Sequence, residues 1–318
     1  MKRLSLLVLG AGWLLGCQKD DILFIESDAA SSLTQLGRNH APARQTFAFA
    51  LNQPQTLRTA GGATLSFPAN AFRLPDGQTL ATGQAELRVR EIYAVPDMLL
   101  ANMPTTAANG EHLISGGEFT IQAWQGTTRL RLTTPGLAAG SGGGLRLTSP
   151  VPPAGLDTTR MQLWQLPPRA FAAAAPDSSG WTVTGPRTWL AAAANGRYTV
   201  TLPLDSIGSW NIDQFWHAYQ NNGTVGVSVE VPGGASETRV YFRPVGYNGL
   251  ARCVATAAPT RWASNLPLGA AVVAVVLQVR GTQLYYGTQP VTTQANQVVQ
   301  PQLEALSEAE IVRRIRLL

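Results

Sequence analysis

Apolar and polar side chains alternate residue by residue along most of this chain, and a period of two restricts it to half-buried β-strands. Leu87 and Val89 alternate with Glu86, Arg88 and Arg90; Phe119, Ile121 and Ala123 with Thr120, Gln122 and Trp124; Leu130 and Leu132 with Arg129 and Arg131. Val225, Val227, Val229 and Val231 continue the pattern far downstream. Between such runs lie Pro75-Asp76-Gly77, Asn109-Gly110, Gly116-Gly117 and Asn248-Gly249, which supply the fixed or positive φ of tight turns. Glycine and proline are abundant, at 31 and 21 residues, and only 14% of residues are charged, which suits many short strands joined by tight turns.

The expected class is all-β, with two or three antiparallel β-sandwich modules in tandem and a short C-terminal α-helix. A chain of 318 residues exceeds what one compact sandwich uses. The expected divisions are a first sandwich at 45–150, a less regular β module at 151–220 and an immunoglobulin-like sandwich at 221–302. Pro150-Val151-Pro152-Pro153 reads as the first seam. Gly140 to Gly144 reads as a hairpin loop, lacking the lysine and helix of a phosphate cradle. Alanine runs at 172–175 and 191–194 leave helix open within the middle module. Ala270 to Leu277 is apolar throughout, too short to span a bilayer and rich in valine, as a strand buried on both faces would be.

The helix expected at 303–318 has a marked start. Ser307 and Glu310 form a capping box, and Leu306 and Ile311 are spaced as its hydrophobic staple. Ile311, Val312, Ile315 and Leu318 make one apolar stripe suited to docking on the last sandwich. Arg313, Arg314 and Arg316 lie where the helix dipole favours cations, and Glu310 can pair with Arg314.

The first sixteen residues carry Lys2 and Arg3, an apolar run from Leu4 to Leu15 and Gly16, the layout of a secretion signal. Leu14-Leu15-Gly16-Cys17 resembles the lipobox of bacterial lipoproteins, which implies lipidation at Cys17. Gln18, Lys19, Asp20 and Asp21 resemble the export signal of Bacteroidota surface lipoproteins, implying a lipid-anchored outer-membrane protein facing outward. Residues 17–44 read as a tether. Lipidation of Cys17 leaves Cys253 without a partner, and it reads as a small buried residue.

Gly61-Gly62-Ala63-Thr64-Leu65-Ser66-Phe67-Pro68-Ala69-Asn70-Ala71-Phe72 resembles the opening of ZU5-type β-sandwich domains. The Leu87 to Tyr93 strand and Gly116-Gly117-Glu118-Phe119 fit the same pattern, so the resemblance runs from Phe47 to Ser149. Trp210 to Phe215 resembles a segment of uncharacterised Bacteroidota surface lipoproteins. Some ZU5 proteins cleave themselves at a serine after a histidine. His112-Leu113-Ile114-Ser115 departs from that motif by an extra residue and a missing aromatic, so cleavage at Ser115 is not expected.

No catalytic residue is assigned, and neither enzyme activity nor a cofactor is expected. His40, His112 and His217 lack metal-ligand spacing, so no metal is expected. Without Lys2 and Arg3 the net charge is only +3, with its basic residues scattered, which is no nucleic-acid footprint. The richest local feature is Trp210 to Tyr219. As a structural or protein-interaction module, the chain would use these rings to fill a seam between modules. As a glycan-binding lipoprotein, it would stack sugars on them, with Trp210, Asp213, Phe215, Trp216 and Tyr219 as candidate ligand residues. Burial separates the two, because a stacking platform needs at least two of these rings exposed on one face.

Overall fold

The computed structural model describes residues 32–80, 82–133, 144–150, 160–166, 180–184, 190–194, 197–201, 207–216, 223–258 and 260–318. In chain order, helix α1 (Ser32–His40) leads into β1 (Gln45–Ala50), β2 (Gln55–Arg58), β3 (Thr64–Phe67), β4 (Phe72–Arg73), β5 (Gln84–Ile92) and helix α2 (Val95–Leu100). There follow β6 (Leu113–Gln125), β7 (Thr128–Arg129), β8 (Arg131–Leu132), β9 (Arg146–Pro150), β10 (Gln162–Leu166), β11 (Thr182–Val183), β12 (Leu190–Ala194), β13 (Arg197–Thr201) and β14 (Ser209–Phe215). The rest comprises β15 (Thr224–Glu230), β16 (Glu237–Pro244), β17 (Ala251–Arg252), β18 (Val254–Ala255), β19 (Arg261–Pro267), β20 (Ala271–Arg280), β21 (Gln283–Thr292), β22 (Gln297–Val299), β23 (Glu304–Ala305) and helix α3 (Glu308–Ile315).

The chain is all-β with short helices, as the period of two requires. A seven-stranded sheet, β1-β5-β6-β14-β10-β11 with β7 on β6, faces a five-stranded sheet, β12-β13-β9-β3-β2. The inward rows Leu87, Val89, Phe119, Ile121, Trp210 and Ile212 meet Leu65, Phe67, Leu147, Tyr198 and Val200 in one core. This corrects the expected division at 150. β10, β11 and β14 sit in the same sheet as β1, β5 and β6, while β12 and β13 join β2, β3 and β9. The physical reason is that neither segment can bury its apolar row alone. β6 pairs with β5 along one edge and takes β14 along the other, so 45–150 is an incomplete sandwich without 160–216. Residues 190–194 are strand β12, not helix; the run at 172–175, the loop at 140–143 and the seam at 151–153 lie outside the described residues.

The second sandwich packs β18-β19-β15-β22 against β17-β16-β20-β21-β23. Val227, Val229 and Leu266 meet Val240, Phe242, Val272, Ala274 and Val276. The opposite face of β20 is also covered, with Val275, Leu277 and Val279 in a separate cluster, so the apolar run is buried on both faces from Ala274 onward, while Ala271 is exposed and Val273 half-buried. Cys253 is buried between β17 and β18, and burial pushes its thiol pKa up.

That separate cluster joins the two sandwiches. Trp164 and Leu166 from the first meet Tyr241, Leu250, Val275, Leu277 and Tyr286 from the second, with α1, α2 and α3 packed into the same layer. α1 is a correction to the expected tether. Leu33 and Leu36, one turn apart, are buried there, and Gly37 lets the helix close on α2, since a Cβ would stand 2.7 Å from the Leu100 carbonyl oxygen. α3 starts as expected, with Ser307 Oγ accepting from the Glu310 amide at 3.2 Å. Glu310 itself turns outward to Arg313 and Arg314, so the cap is one-sided. Ile311 and Ile315 are fully buried. Among the described residues, no helix is long and apolar enough to cross a membrane. The signal at 1–16, Cys17 and the segment from Gln18 to Asp21 lie outside the described residues.

Candidate functional site

β6 is the spine of the molecule's polar interior. Just before it, the Asn109-Gly110 turn closes through an Ala107 amide to Glu111 carbonyl bond of 2.7 Å, and Gly110 adopts φ 85°. That turn leans on the second sandwich. His112 Nε2 lies 2.7 Å from Ser264 Oγ, and its Nδ1 lies 3.4 Å from Thr106 Oγ1. Ser264 Oγ donates to the Arg252 carbonyl at 3.4 Å, which leaves it to accept from Nε2–H rather than donate its proton to His112 as an activated nucleophile does. Burial pushes the His112 pKa down to about 4, so the ring is neutral at physiological pH.

Around His112 the two sandwiches leave a cleft of about 130 Å³. One wall is the 109–112 turn; the other comes from Thr224, Asn265 and Pro267, which the β15–β19 register places at one end of the second sandwich. Trp216 also lines it, held by its amide on the His112 carbonyl at 2.8 Å. Trp216 is 1% exposed, and its buried Nε1–H has no hydrogen-bond partner among the described residues. The lining carries no Lys or Arg.

Farther along, β6 bulges at Gly116-Gly117, where Gly117 takes φ 143° and packs against Tyr93. The bulge aligns Ser115 with Asp213 and Glu118 with Asn211, all fully buried. Ser115 Oγ donates to Asn211 Oδ1 at 2.7 Å and accepts from the Gly117 amide at 3.0 Å, while Asn211 Nδ2 donates to Asp213 Oδ2. Among the described residues, neither oxygen of Glu118 has a partner, nor has Asp213 Oδ1. Burial pushes both carboxyls well above the usual range. The Asp213 charge adds to this at Glu118, while the polar neighbours of Asp213, the Asn211 amide bonded to it among them, oppose it at Asp213.

The aromatic segment is interior. Trp210 is fully buried in the first core, Trp216 in the second, and Phe215 is half-buried edge-on to Trp164 at 5.1 Å. These three rings form no exposed platform, because β14 is covered on both faces and alternate rings enter different cores. His217 and Tyr219 lie outside the described residues. Asp213 is brought into the polar seam rather than to a surface, and His112 addresses Ser264 while Ser115 addresses Asn211. The seam's Glu118 and Asn211 and the cleft's Thr224 and Asn265 escape sequence reasoning. Alternation puts Asn211 and Asp213 on one face, but only the neighbouring sandwich turns that face into an interior.

No family model and no curated protein matches the chain. A solved structure with some likeness is the pullulanase from Bacillus acidopullulyticus, 10% identical, with a TM-score of 0.17. The match covers 76% of this chain and 33% of the pullulanase, so this chain spans about a third of its length. A likeness at that level carries no argument about fold or activity.

Proposed function

We propose that the chain is a lipid-anchored lipoprotein of the bacterial cell surface, with a ZU5-like first sandwich, that acts as a structural or protein-interaction module. The observation that carries this reading is the continuous apolar layer between the sandwiches, into which α1, α2 and α3 are all packed. A shared core fixes the two sandwiches as one stiff body, as a spacer or docking platform requires. The clasp on α1 supports it further. His40 Nε2 and Asn39 Nδ2 reach Glu308 at 2.8 and 2.9 Å, Arg316 reaches Asp97 and the His40 carbonyl, and Arg239 reaches Thr34. Pull on a lipid at Cys17 would thus pass through α1 directly into the junction layer.

The test compares the wild type with Cys17→Ser in a Bacteroidota host. The wild type is expected to partition into detergent and to be digested by protease added to intact cells. C17S is expected in the aqueous phase. Wild type that stays aqueous, or is protected in intact cells, overturns the anchor or the surface address respectively. Crosslinking on intact cells should then capture a defined envelope protein with the wild type and lose it with C17S.

A further inference from the structure

We infer that β6 and β14 become joined by an intramolecular ester, formed once when Ser115 Oγ attacks the side-chain amide of Asn211 and ammonia is lost. This goes beyond the structural role proposed above and does not rest on the lipid anchor. Geometry comes first. Ser115 Oγ donates to Asn211 Oδ1 at 2.7 Å. With a C=O bond of about 1.2 Å, that contact holds Oγ within about 3–4 Å of the amide carbon, close to the separation from which a nucleophile attacks. Regular alternation would put residues 115 and 118 on opposite faces of β6. The bulge at Gly116-Gly117 instead sets Ser115 across from Asp213 and Glu118 across from Asn211, so that one face of the strand pair carries all four.

Chemistry assigns the two carboxyls. A hydroxyl that attacks an amide needs a base to take its proton and an acid to protonate the departing nitrogen. Asp213 is the base: it stands across the strand pair from Ser115, its Oδ2 accepts from Asn211 Nδ2, and its Oδ1 has no partner among the described residues. Glu118 is the acid: it stands across from Asn211, and neither of its oxygens has a partner among the described residues. Polar neighbours favour ionisation at Asp213, whereas the Asp213 charge opposes it at Glu118, so Asp213 ionises first and Glu118 keeps its proton. The Oγ–H proton passes to Asp213 as the bond from Oγ to the amide carbon forms. Glu118 protonates Nδ2 as the carbon–nitrogen bond breaks, and ammonia leaves. The proton on Asp213 then returns to Glu118, which restores both carboxyls. All four side chains are fully buried, so the water that would hydrolyse the ester is kept out.

The test digests the mature protein with trypsin and measures peptide masses. Residues 115 and 211 fall in the tryptic peptides 91–129 and 198–239. In the wild type these two should appear as one species, lighter than their sum by one ammonia and separated by dilute alkali, which hydrolyses esters and spares amides. Ser115→Ala and Asn211→Ala should yield the two peptides singly, with a cooperative melt showing that each variant is folded. Glu118→Gln and Asp213→Asn, sampled at intervals after a pulse of synthesis, should form the linked species about 100-fold more slowly or worse, the scale of one lost proton transfer. The bond, once formed, needs neither carboxyl to persist. Three outcomes overturn the proposal: the wild-type peptides are recovered singly, the link survives S115A or N211A, or it forms as fast in both carboxyl variants as in the wild type.

Discussion

Two buried glutamates on neighbouring strands, Glu91 and Glu118, differ sharply in their hydrogen-bond partners. Glu91 accepts from Thr59 Oγ1 at 2.6 Å, Tyr93 OH at 2.8 Å, the Gly61 amide at 2.9 Å and Gln45 Nε2 at 3.0 Å. Glu118 accepts from nothing among the described residues and lies near Asp213. An unpaired buried carboxyl keeps its proton, so Glu118 and Asp213 bind protons more tightly folded than unfolded. Their contribution to stability is therefore complete below the unfolded carboxylate pKa, around 4, and drains away as pH rises toward the raised folded values. His112 has the opposite sign. Its contribution is complete above the unfolded pKa of about 6.5 and is lost as pH falls toward about 4. The two effects separate above about pH 7.5, where His112 is close to neutral in both states. In that range the melting temperature of the wild type should fall with rising pH, and Glu118→Gln and Asp213→Asn should flatten the slope and stabilise the alkaline end. Equal slopes in the wild type and both variants would show that the pair does not titrate with folding.

At the scale of elements, α3 and α1 make an instructive contrast. The start of α3 was legible because the cap, staple and stripe are local and all name the same residues. Ser307→Ala should cost about 1 kcal/mol through loss of its bond to the Glu310 amide. Ile311→Ala should cost about 2–5 kcal/mol through a cavity in the junction layer. Chemical denaturation measures both, and a near-zero effect of I311A would mean that α3 does not hold its place in solution. α1 gives no such signal. Its glycine lies mid-helix, its polar residues suit a linker, and its two buried leucines acquire a partner only when α2 and β20 arrive from elsewhere in the chain. Strands were legible for the same reason as α3, since alternation is local. Their grouping into sheets was not, because β14 meets β6 across nearly a hundred residues of sequence.

At the scale of the whole molecule, the sandwiches are distinct in topology but not in energetics. Asn248 Nδ2 donates to the carbonyls of Tyr93 and Ser115 at 2.9 and 2.8 Å, Tyr241 OH donates to Asn102 at 2.6 Å, and the Leu250 and Arg252 amides donate to Thr105 and Thr106. Ile114 of β6 belongs to the second sandwich's core, and Tyr241 and Leu250 to the junction layer. Unfolding either sandwich alone would break these bonds and expose the apolar junction layer of the other to water. The molecule should therefore melt in one cooperative transition, with calorimetric and van't Hoff enthalpies equal. Leu250→Ala, at the centre of the joint, should lower that single midpoint by the equivalent of about 2–5 kcal/mol without splitting it. Two resolved peaks in the wild type would mean that the joint is weaker than its contacts imply. A split that appears only in L250A would instead locate the coupling at that residue, and the stiffness required of a spacer would then hang on one side chain.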